Sequence, residues 1–553
     1  MSRAIPDEIQ IYADGQMRLL KLSAEQRRQR VHATLYAHQL PLNTRCGGKG
    51  VCDGCMVQLV RGELIHAPRG RRAVANGAPI TVRACEYTWG DGSAAEIHIP
   101  DRSRTAYQPQ VLTDFHIRVP YAHQPLCDLD GIDQPVGAAI DVGTTTVALL
   151  LVDLRDGRIL SRASAFNRQM DLGDDVVTRI NLCRSDASML PRLHEAVLRD
   201  TIAVLIREAL EKAGVSADRL ACITAAGNTT MQHLLAGVDP SPLGVHPFTP
   251  QFLDHHVIQA DGLGAPLHLL PGTAAYVGAD VTAGVVSSGL VYDDGPSLLV
   301  DVGTNGEIVL KHGDHLLACA TAAGPAFEGA GLTHGIRAGD GAISHLQIHT
   351  NPLRIEIEVI GNAKPLGICG SAYVDLLAKG VATGLLDATG RFNRQCPGIE
   401  RLLCQINGQP ALRLARGRGS EPICVTEYDL SRLLQAKAAI AAGILTLLDR
   451  AKLTPADIRT VYLAGGFGMH MKTASAIGCG LLPGFRLEQI ELVGNTSLAG
   501  ALATLLDRTI LHEITRVSRR IETIELNLEP TFEDHYIDQL LLPSFTAEDA
   551  EMK

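Results

Sequence analysis

With 553 residues, 46% of them hydrophobic and 20% charged, the chain has room for roughly three or four domains and falls outside the disordered, collagenous and coiled-coil classes. Fifty-four Gly against 4% aromatic residues and a single Trp favour turn-rich α/β domains built on Val, Ile, Leu and Ala over all-β folds. The formal charge of −10 carries no general bias toward nucleic acid. It is uneven, because residues 1–102 hold 14 Lys or Arg against 10 Asp or Glu. Arg69, Arg71 and Arg72 sit together there, as a solvated loop or as a docking patch for an acidic partner.

The N-terminus, Met1-Ser-Arg-Ala-Ile-Pro-Asp-Glu8, is polar and lacks the apolar core of a signal peptide. No stretch reaches the ~18 apolar residues of a membrane span. The longest candidate, Ala438 to Leu448, is broken by Gly443 and Thr446 and reads as a buried helix. The chain is therefore expected in the cytoplasm and off the membrane. In that reducing setting its 13 Cys are not a disulfide framework, and any tight grouping points to metal.

The tightest grouping is Cys46-Gly-Gly-Lys-Gly-Val-Cys52-Asp-Gly-Cys55, followed by Cys85, with spacing C-x5-C-x2-C-x29-C. Four thiolates are what two irons sharing two sulfides need at their outer positions. Gly47, Gly48, Gly50 and Gly54 let backbone wrap closely around such a cluster. Structural zinc is the rival, although it usually shows two short Cys pairs rather than three clustered ligands and one apart; unligated core thiols are the third reading. Met56 to Leu64 alternates as a strand into a Gly turn, and Glu96-Ile-His-Ile-Pro100 reads as a closing strand. Residues 1–102 resemble a plant- or adrenodoxin-type [2Fe–2S] ferredoxin domain of β-grasp-like fold, the five-residue first gap matching the adrenodoxin branch. The other nine cysteines are scattered, most of them reading as small core residues. Segment 103–136, with Pro109, Pro120, Pro125 and Pro135, reads as a linker.

Ala138-Ala-Ile-Asp-Val-Gly-Thr-Thr-Thr146 is an apolar strand entering a polar turn before a second apolar strand. Ser297-Leu-Leu-Val-Asp-Val-Gly-Thr-Asn305 repeats it, so Asp141 aligns with Asp301. Two copies suggest two related lobes, 137–293 and 294–530, by internal duplication. In each turn an Asp at a strand end suits a hydrated Mg²⁺. Gly143 and Gly303 clear space for a phosphate, and Thr144, Thr145, Thr146, Thr304 and Asn305 supply hydroxyl, amide and N–H groups of an anion nest. A single such hairpin is equally an ordinary β-turn; the second copy weakens that reading. Thr460-Val-Tyr-Leu-Ala-Gly-Gly-Phe-Gly468 adds a strand and a Gly-rich loop, in which Gly465, Gly466 and Gly468 fit either a nucleoside or a tight strand-to-helix turn.

In this order the three motifs resemble the acetate kinase, sugar kinase, heat-shock chaperone and actin superfamily. The resemblance implies an α/β fold of duplicated ribonuclease-H-like lobes with ATP and Mg²⁺ in the cleft. Asn228, Thr229 and Thr230, after the strand Cys222 to Thr224, face the cleft or merely cap a helix. Asp280 positions the attacking water or Mg²⁺, or is an ordinary first-turn acid. Residues 531–553 read as a C-terminal tail.

A ferredoxin-like domain joined to an ATP-cleft domain resembles the reductive activators of corrinoid proteins. Thr321 to Ala330, Gly367-Ile-Cys-Gly-Ser371, Pro483-Gly-Phe485 and Val493 to Ala501 are also similar to that family. The resemblance implies an ATP-dependent enzyme that passes one electron from a [2Fe–2S] cluster on Cys46, Cys52, Cys55 and Cys85 to the Co(II) corrinoid of a methyltransferase-system partner, restoring Co(I). Asp141, Asp280 and Asp301 are then the catalytic acids, and a homodimer is implied as well. The corrinoid belongs to the partner, because no D-x-H-x-x-G motif occurs: Asp254-His-His256 comes nearest, with Gln259 where Gly should stand. No G-x-G-x-x-G fingerprint follows a strand either, so electrons are expected from a separate reductase. An activator of a radical dehydratase and a small-molecule kinase with a redox-sensing ferredoxin domain are the alternatives.

Overall fold

The computed structural model describes residues 8–13, 16–38, 40, 42, 50, 55–89, 95–100, 103, 115, 117–119, 122–259, 262–406, 408–416, 422–465 and 471–543. The chain divides into two compact units, residues 1–108 with 170–174, and residues 109–169 with 175–553.

In the first unit, β1 (Glu8–Ala13) and β2 (Gln16–Lys21) form an antiparallel hairpin. Next come α1 (Ala24–Arg28), opened by a capping box between Ser23 and Gln26, and α2 (Val31–Ala37). Then β3 (Met56–His66) pairs with β4 (Arg72–Arg83), and β5 (Tyr87–Trp89) and β6 (Glu96–His98) complete a mixed sheet in the order β2-β1-β6-β3-β4, with β5 on β3. Ile11, Leu35, Leu59, Leu64 and Ile97 are wholly buried in its core, and the Trp89 indole donates to Thr34 Oγ1 at 2.9 Å. One sequence expectation changes here. Gly62, read as a turn, lies within β3 opposite Ala75 and takes φ 103°, so the strand runs on to His66. The strand expected at Glu96 is present as β6 and lies between β1 and β3.

The second unit opens with β7 (Val136–Val142), β8 (Thr146–Asp153) and β9 (Ile159–Phe166), an antiparallel meander. After it come α3 (Val176–Ser185), α4 (Met189–Val197), α5 (Val204–Ala213), β10 (Leu220–Gly227), α6 (Thr229–Leu235), β11 (His256–Ile258), β12 (Leu267–Leu269) and α7 (Ala279–Ser287). The sheet order is β11-β12-β10-β7-β8-β9, with β10 parallel to β7. Val136 to Ile140 are buried at successive positions, as required of a central strand covered on both faces.

The chain then repeats the pattern. A meander of β13 (Ser297–Val302), β14 (Gly306–His312) and β15 (His315–Thr321) is followed by an insertion of β16 (Ala342–Thr350), β17 (Leu353–Val359), β18 (Gly367–Ile368), α8 (Gly370–Ala382), β19 (Leu403–Ile406), β20 (Gln409–Arg416) and β21 (Pro422–Thr426). Then come α9 (Glu427–Ala451), β22 (Thr460–Ala464), α10 (Thr473–Gly478), β23 (Ile490–Gly494), α11 (Thr496–Leu506), α12 (Arg508–Ser518), β24 (Ile521–Thr523) and α13 (Phe532–Gln539). The second large sheet runs β23-β22-β13-β14-β15-β24. Both sheets thus carry a meander whose first strand pairs in parallel with a later strand. Asp141 lies opposite Ala226 of β10, and Asp301 opposite Ala464 of β22. One hydrophobic core contains α7, α11 and residues of both sheets, from Ala139 and Leu150 to Leu299 and Val309, and so joins the lobes.

Three further expectations are revised. Part of the linker is packed rather than loose: Val119 is buried, and Ile117, Leu126 and Leu129 lie against the shared core, with Leu126 N–H donating to Leu505 O at 3.1 Å. Cys127, read as a core thiol, is joined to Cys222 of β10 as a disulfide. The segment expected as a tail begins with α13, which lies against α9 because Phe532 faces the core and Lys437 Nζ donates to Leu541 O at 2.7 Å. Ala438 to Leu448 does lie in a helix and is mostly buried; α9 as a whole has the length and mean hydropathy of a membrane span, with its apolar window 78% buried inside the protein.

Candidate functional site

The first polar turn leaves β7 at Asp141 and enters β8 at Thr146. Gly143 N–H donates to Thr146 O at 3.0 Å, and a side chain at 143 would meet that oxygen at 2.5 Å, so only Gly closes this turn. Three donors hold its carbonyls: Asn167 Nδ2 to Gly143 O at 3.0 Å, the wholly buried Arg179 to Thr144 O at 2.5 Å, and Asn167 N–H to Thr145 O at 2.9 Å. Engaged in this way, the carbonyls fix the turn while Gly143 to Thr146 line a cavity of about 240 Å³. Asn228 caps α6 by accepting from Met231 N–H at 3.0 Å, and its amide donates to Thr144 Oγ1 at 3.0 Å.

The second turn faces the same cavity with Asp301, Gly303, Thr304 and Asn305. Gly303 N–H donates to Asn305 O at 3.0 Å, and Thr304 Oγ1 donates to Glu328 Oε1 at 2.5 Å. Asp280 enters from the first turn of α7. Gly465, at the end of β22 with φ 91°, completes this wall; a Cβ there would stand 2.5 Å from Asp301 Oδ1. Of the ATP-site residues expected from sequence, those described all line this one cavity. Gly466 and Gly468 lie outside the described residues, and Thr229 and Thr230, though buried, are not among the lining residues.

Several lining residues carry no functional signal in the sequence alone. Asn495 Nδ2 and Ser497 Oγ donate to the two oxygens of Asp141, each at 2.8 Å. Glu307 lies opposite Asp301 on β14, and Glu328, Arg337, Cys369 and Ser371 complete this part of the wall. The stretches holding Glu328, Cys369 and Asn495 resemble the corrinoid-protein activators in sequence, but only the fold reveals what they face.

Electrostatics sets this cavity apart. Burial pushes Asp280 and Asp301 each up to about 7, with neighbouring carboxylates adding to the shift. Burial also raises Asp141, against the lowering effect of the Asn495 and Ser497 hydrogen bonds, and raises Glu307 well above the carboxylate range. Buried carboxylates that repel one another are stabilised by a cation. Among the described residues no three acidic, His or Cys side chains are placed to bind a metal directly. This donor set fits Mg²⁺, which keeps most of its waters and is shared with phosphate oxygens.

In the first unit, Cys55 directly precedes β3 and Cys85 follows β4. Ala84 N–H donates to Cys55 O at 3.0 Å, Arg30 donates to Cys85 O at 2.7 Å, and both cysteines are wholly buried. Two of the four expected ligands are therefore neighbours at one end of a strand pair, an arrangement that fits a shared thiolate site. Cys46 and Cys52 lie outside the described residues.

Residues 136–293 match the RACo middle region, and residues 295–552 match the C-terminal domain of RACo, the ASKHA domain. The chain belongs to the RACo family. A solved structure titled reductive activator for corrinoid, iron-sulfur protein superposes with a TM-score of 0.69 at 29% identity, covering 97% of this chain and 98% of the other. The corrinoid activation enzyme RamQ of Eubacterium limosum is 29% identical over 577 residues, 90% of this chain and 93% of RamQ. A Methanosarcina barkeri reductase of a Co(II) methylated amine-specific corrinoid protein is 23% identical over 441 residues, 73% of this chain and 76% of its own length. The two RACo matches meet at the boundary between the lobes, so the cavity lies between the middle region and the ASKHA domain of this RACo-family chain.

Proposed function

We propose that this chain is an ATP-dependent reductive activase that returns the Co(II) corrinoid of a methyltransferase-system protein to Co(I). The observation that carries the reading is the convergence of both D-x-G-T hairpins and Asp280 on one cavity of a RACo-family ASKHA fold. Its relatives named for corrinoid activation and corrinoid reduction match most of its length.

The residues divide the work. Gly143 to Thr146 and Gly303 to Asn305 would cradle the phosphates of ATP from opposite lobes, with Gly465, Gly466 and Gly468 beneath the nucleoside. Asn495 and Ser497 hold the Asp141 carboxylate in one orientation. Asp141, Asp280 and Asp301 would hold Mg²⁺ through its waters and orient the attacking water. Bound Mg²⁺ supplies charge neutralisation at the phosphates. A [2Fe–2S] cluster on Cys46, Cys52, Cys55 and Cys85, in a ferredoxin-like domain, would supply a one-electron relay.

ATP is required because reduction of a protein-bound Co(II) corrinoid is uphill, each electron moved against 100 mV costing ~2.3 kcal/mol. Closure of the lobes around ATP can change the affinity of the chain for one redox state of the partner, and hydrolysis then releases it. A separate reductase would supply the electron, and a homodimer is part of the same proposal. ATP hydrolysis by the purified chain, measured with and without a Co(II) corrinoid protein, tests the coupling. Stimulation by the corrinoid protein is expected. Stoichiometric phosphorylation of a metabolite without any such stimulation would instead support a small-molecule kinase.

A further inference from the structure

Asp141, Asp280, Asp301, Glu307 and Glu328 all line the cleft cavity, and Arg337 is the sole cation among its described lining residues. Arg337 Nη2 donates to Glu328 Oε2 at 3.2 Å, and the other oxygen of that carboxylate accepts from Thr304 Oγ1 at 2.5 Å. The guanidinium also lies over the ring of Phe166, with Cζ 5.1 Å from its centroid. Phe166 ends β9 and immediately precedes Asn167, whose amide holds Gly143 O. Arg337 is thus linked to the second phosphate hairpin through Glu328 and to the support of the first through Phe166.

A nucleoside triphosphate brings about four negative charges to this acidic cavity, and one Mg²⁺ offsets two of them. Charge developing on the terminal phosphoryl needs a further cation, a role for which the planar guanidinium is well shaped. A phosphate at Thr304 competes with Glu328 for both the Thr304 hydroxyl and the Arg337 guanidinium, so the anion that engages the hairpin also frees the arginine from its carboxylate.

We propose that Arg337 is a catalytic residue of ATP hydrolysis: it contacts the terminal phosphoryl and, through Phe166, makes lobe closure depend on that group. Water attacks the terminal phosphorus, the bond to the bridging oxygen of ADP breaks, and ADP, inorganic phosphate and a proton leave. The inference rests on the reading of the cavity as an ATP site.

The test measures, in the full-length chain with Mg²⁺, ADP binding, binding of a non-hydrolysable ATP analogue, and kcat for ATP hydrolysis. Wild-type protein is expected to bind both nucleotides, the analogue more tightly. Arg337→Ala should retain ADP affinity, bind the analogue no better than ADP, and lose ~100-fold or more in kcat. Retained ADP affinity also shows that the variant is folded. Arg337→Lys, which keeps the charge but loses the planar fork, should fall between the two in kcat. Wild-type kcat in either variant, or equal loss of ADP and analogue affinity, overturns the role of Arg337. Wild-type protein that binds neither nucleotide overturns the ATP reading and this inference with it.

Discussion

Asn495 donates its side-chain amide to Oδ2 of Asp141 at 2.8 Å, across 354 residues of chain. The same Asn495 caps α11, accepting from Leu498 N–H at 2.9 Å. One carboxamide therefore ties the start of a helix in the shared core to the acid of the first D-x-G-T hairpin.

Removing the two donors to Asp141 separates their effects. Asn495→Ala loses both the cap and the donor, and should cost ~1 kcal/mol of stability or more. Ser497→Ala loses only the donor to Oδ1, so its melting temperature should change less. Both should weaken Mg-ATP binding by about tenfold, equivalent to ~1.4 kcal/mol. Calorimetric titration of both variants checks this; full affinity in Ser497→Ala would show that its hydroxyl does not orient Asp141.

The D-x-G-T hairpins were legible in the sequence because each carries its chemistry within a few consecutive residues, flanked by apolar strands. Asn495, Ser497 and Arg337 were not, because no local pattern of residues marks them and they reach the cavity only through folding. The packing of α13 was missed for a related reason: eight mostly polar residues carry a weak pattern, and it is α9 that gives Phe532 a surface to cover. The Pro-rich linker hid Val119 and Leu126 among residues without periodicity, although both meet the core between the lobes.

The buried acids predict how Mg²⁺ binding changes with pH. Asp280 and Asp301 are each raised to about 7 by burial. In metal-free protein they therefore hold protons that the unfolded chain has lost. Their contribution to stability is fully present below the ordinary carboxylate range and is lost as pH rises through about 7. Mg²⁺ needs the ionised forms, so its affinity should rise with pH up to about 7 and then level off. Melting curves with and without Mg²⁺ should diverge more at pH 8 than at pH 5.5; an equal Mg²⁺ effect at both would contradict the assignment.

Gly465 combines a φ of 91° with contact distances that leave no space for a methyl group beside Asp301. Gly465→Ala should cost ~1–3 kcal/mol of stability and displace Asp301 or the strand end, weakening nucleotide binding. Unchanged melting temperature together with unchanged affinity would contradict the placement of this wall.

Cys55 and Cys85 allow the two chemistries to be separated. Cys55→Ser or Cys85→Ser should lower the iron and sulfide bound per chain and abolish corrinoid reduction, while ATP affinity stays that of the parent. Cys52→Ala should do the same. Full reducing activity in any of these variants would remove the thiolates from the electron path.

The most direct measurement is anaerobic absorption spectroscopy of a Co(II) corrinoid protein mixed with this chain, Mg²⁺ and a reductant, before and after ATP is added. Growth of the cob(I) band only after ATP is the predicted result. A spectrum that remains cob(II) with ATP present, or cob(I) formed equally well without it, would contradict ATP-driven reduction.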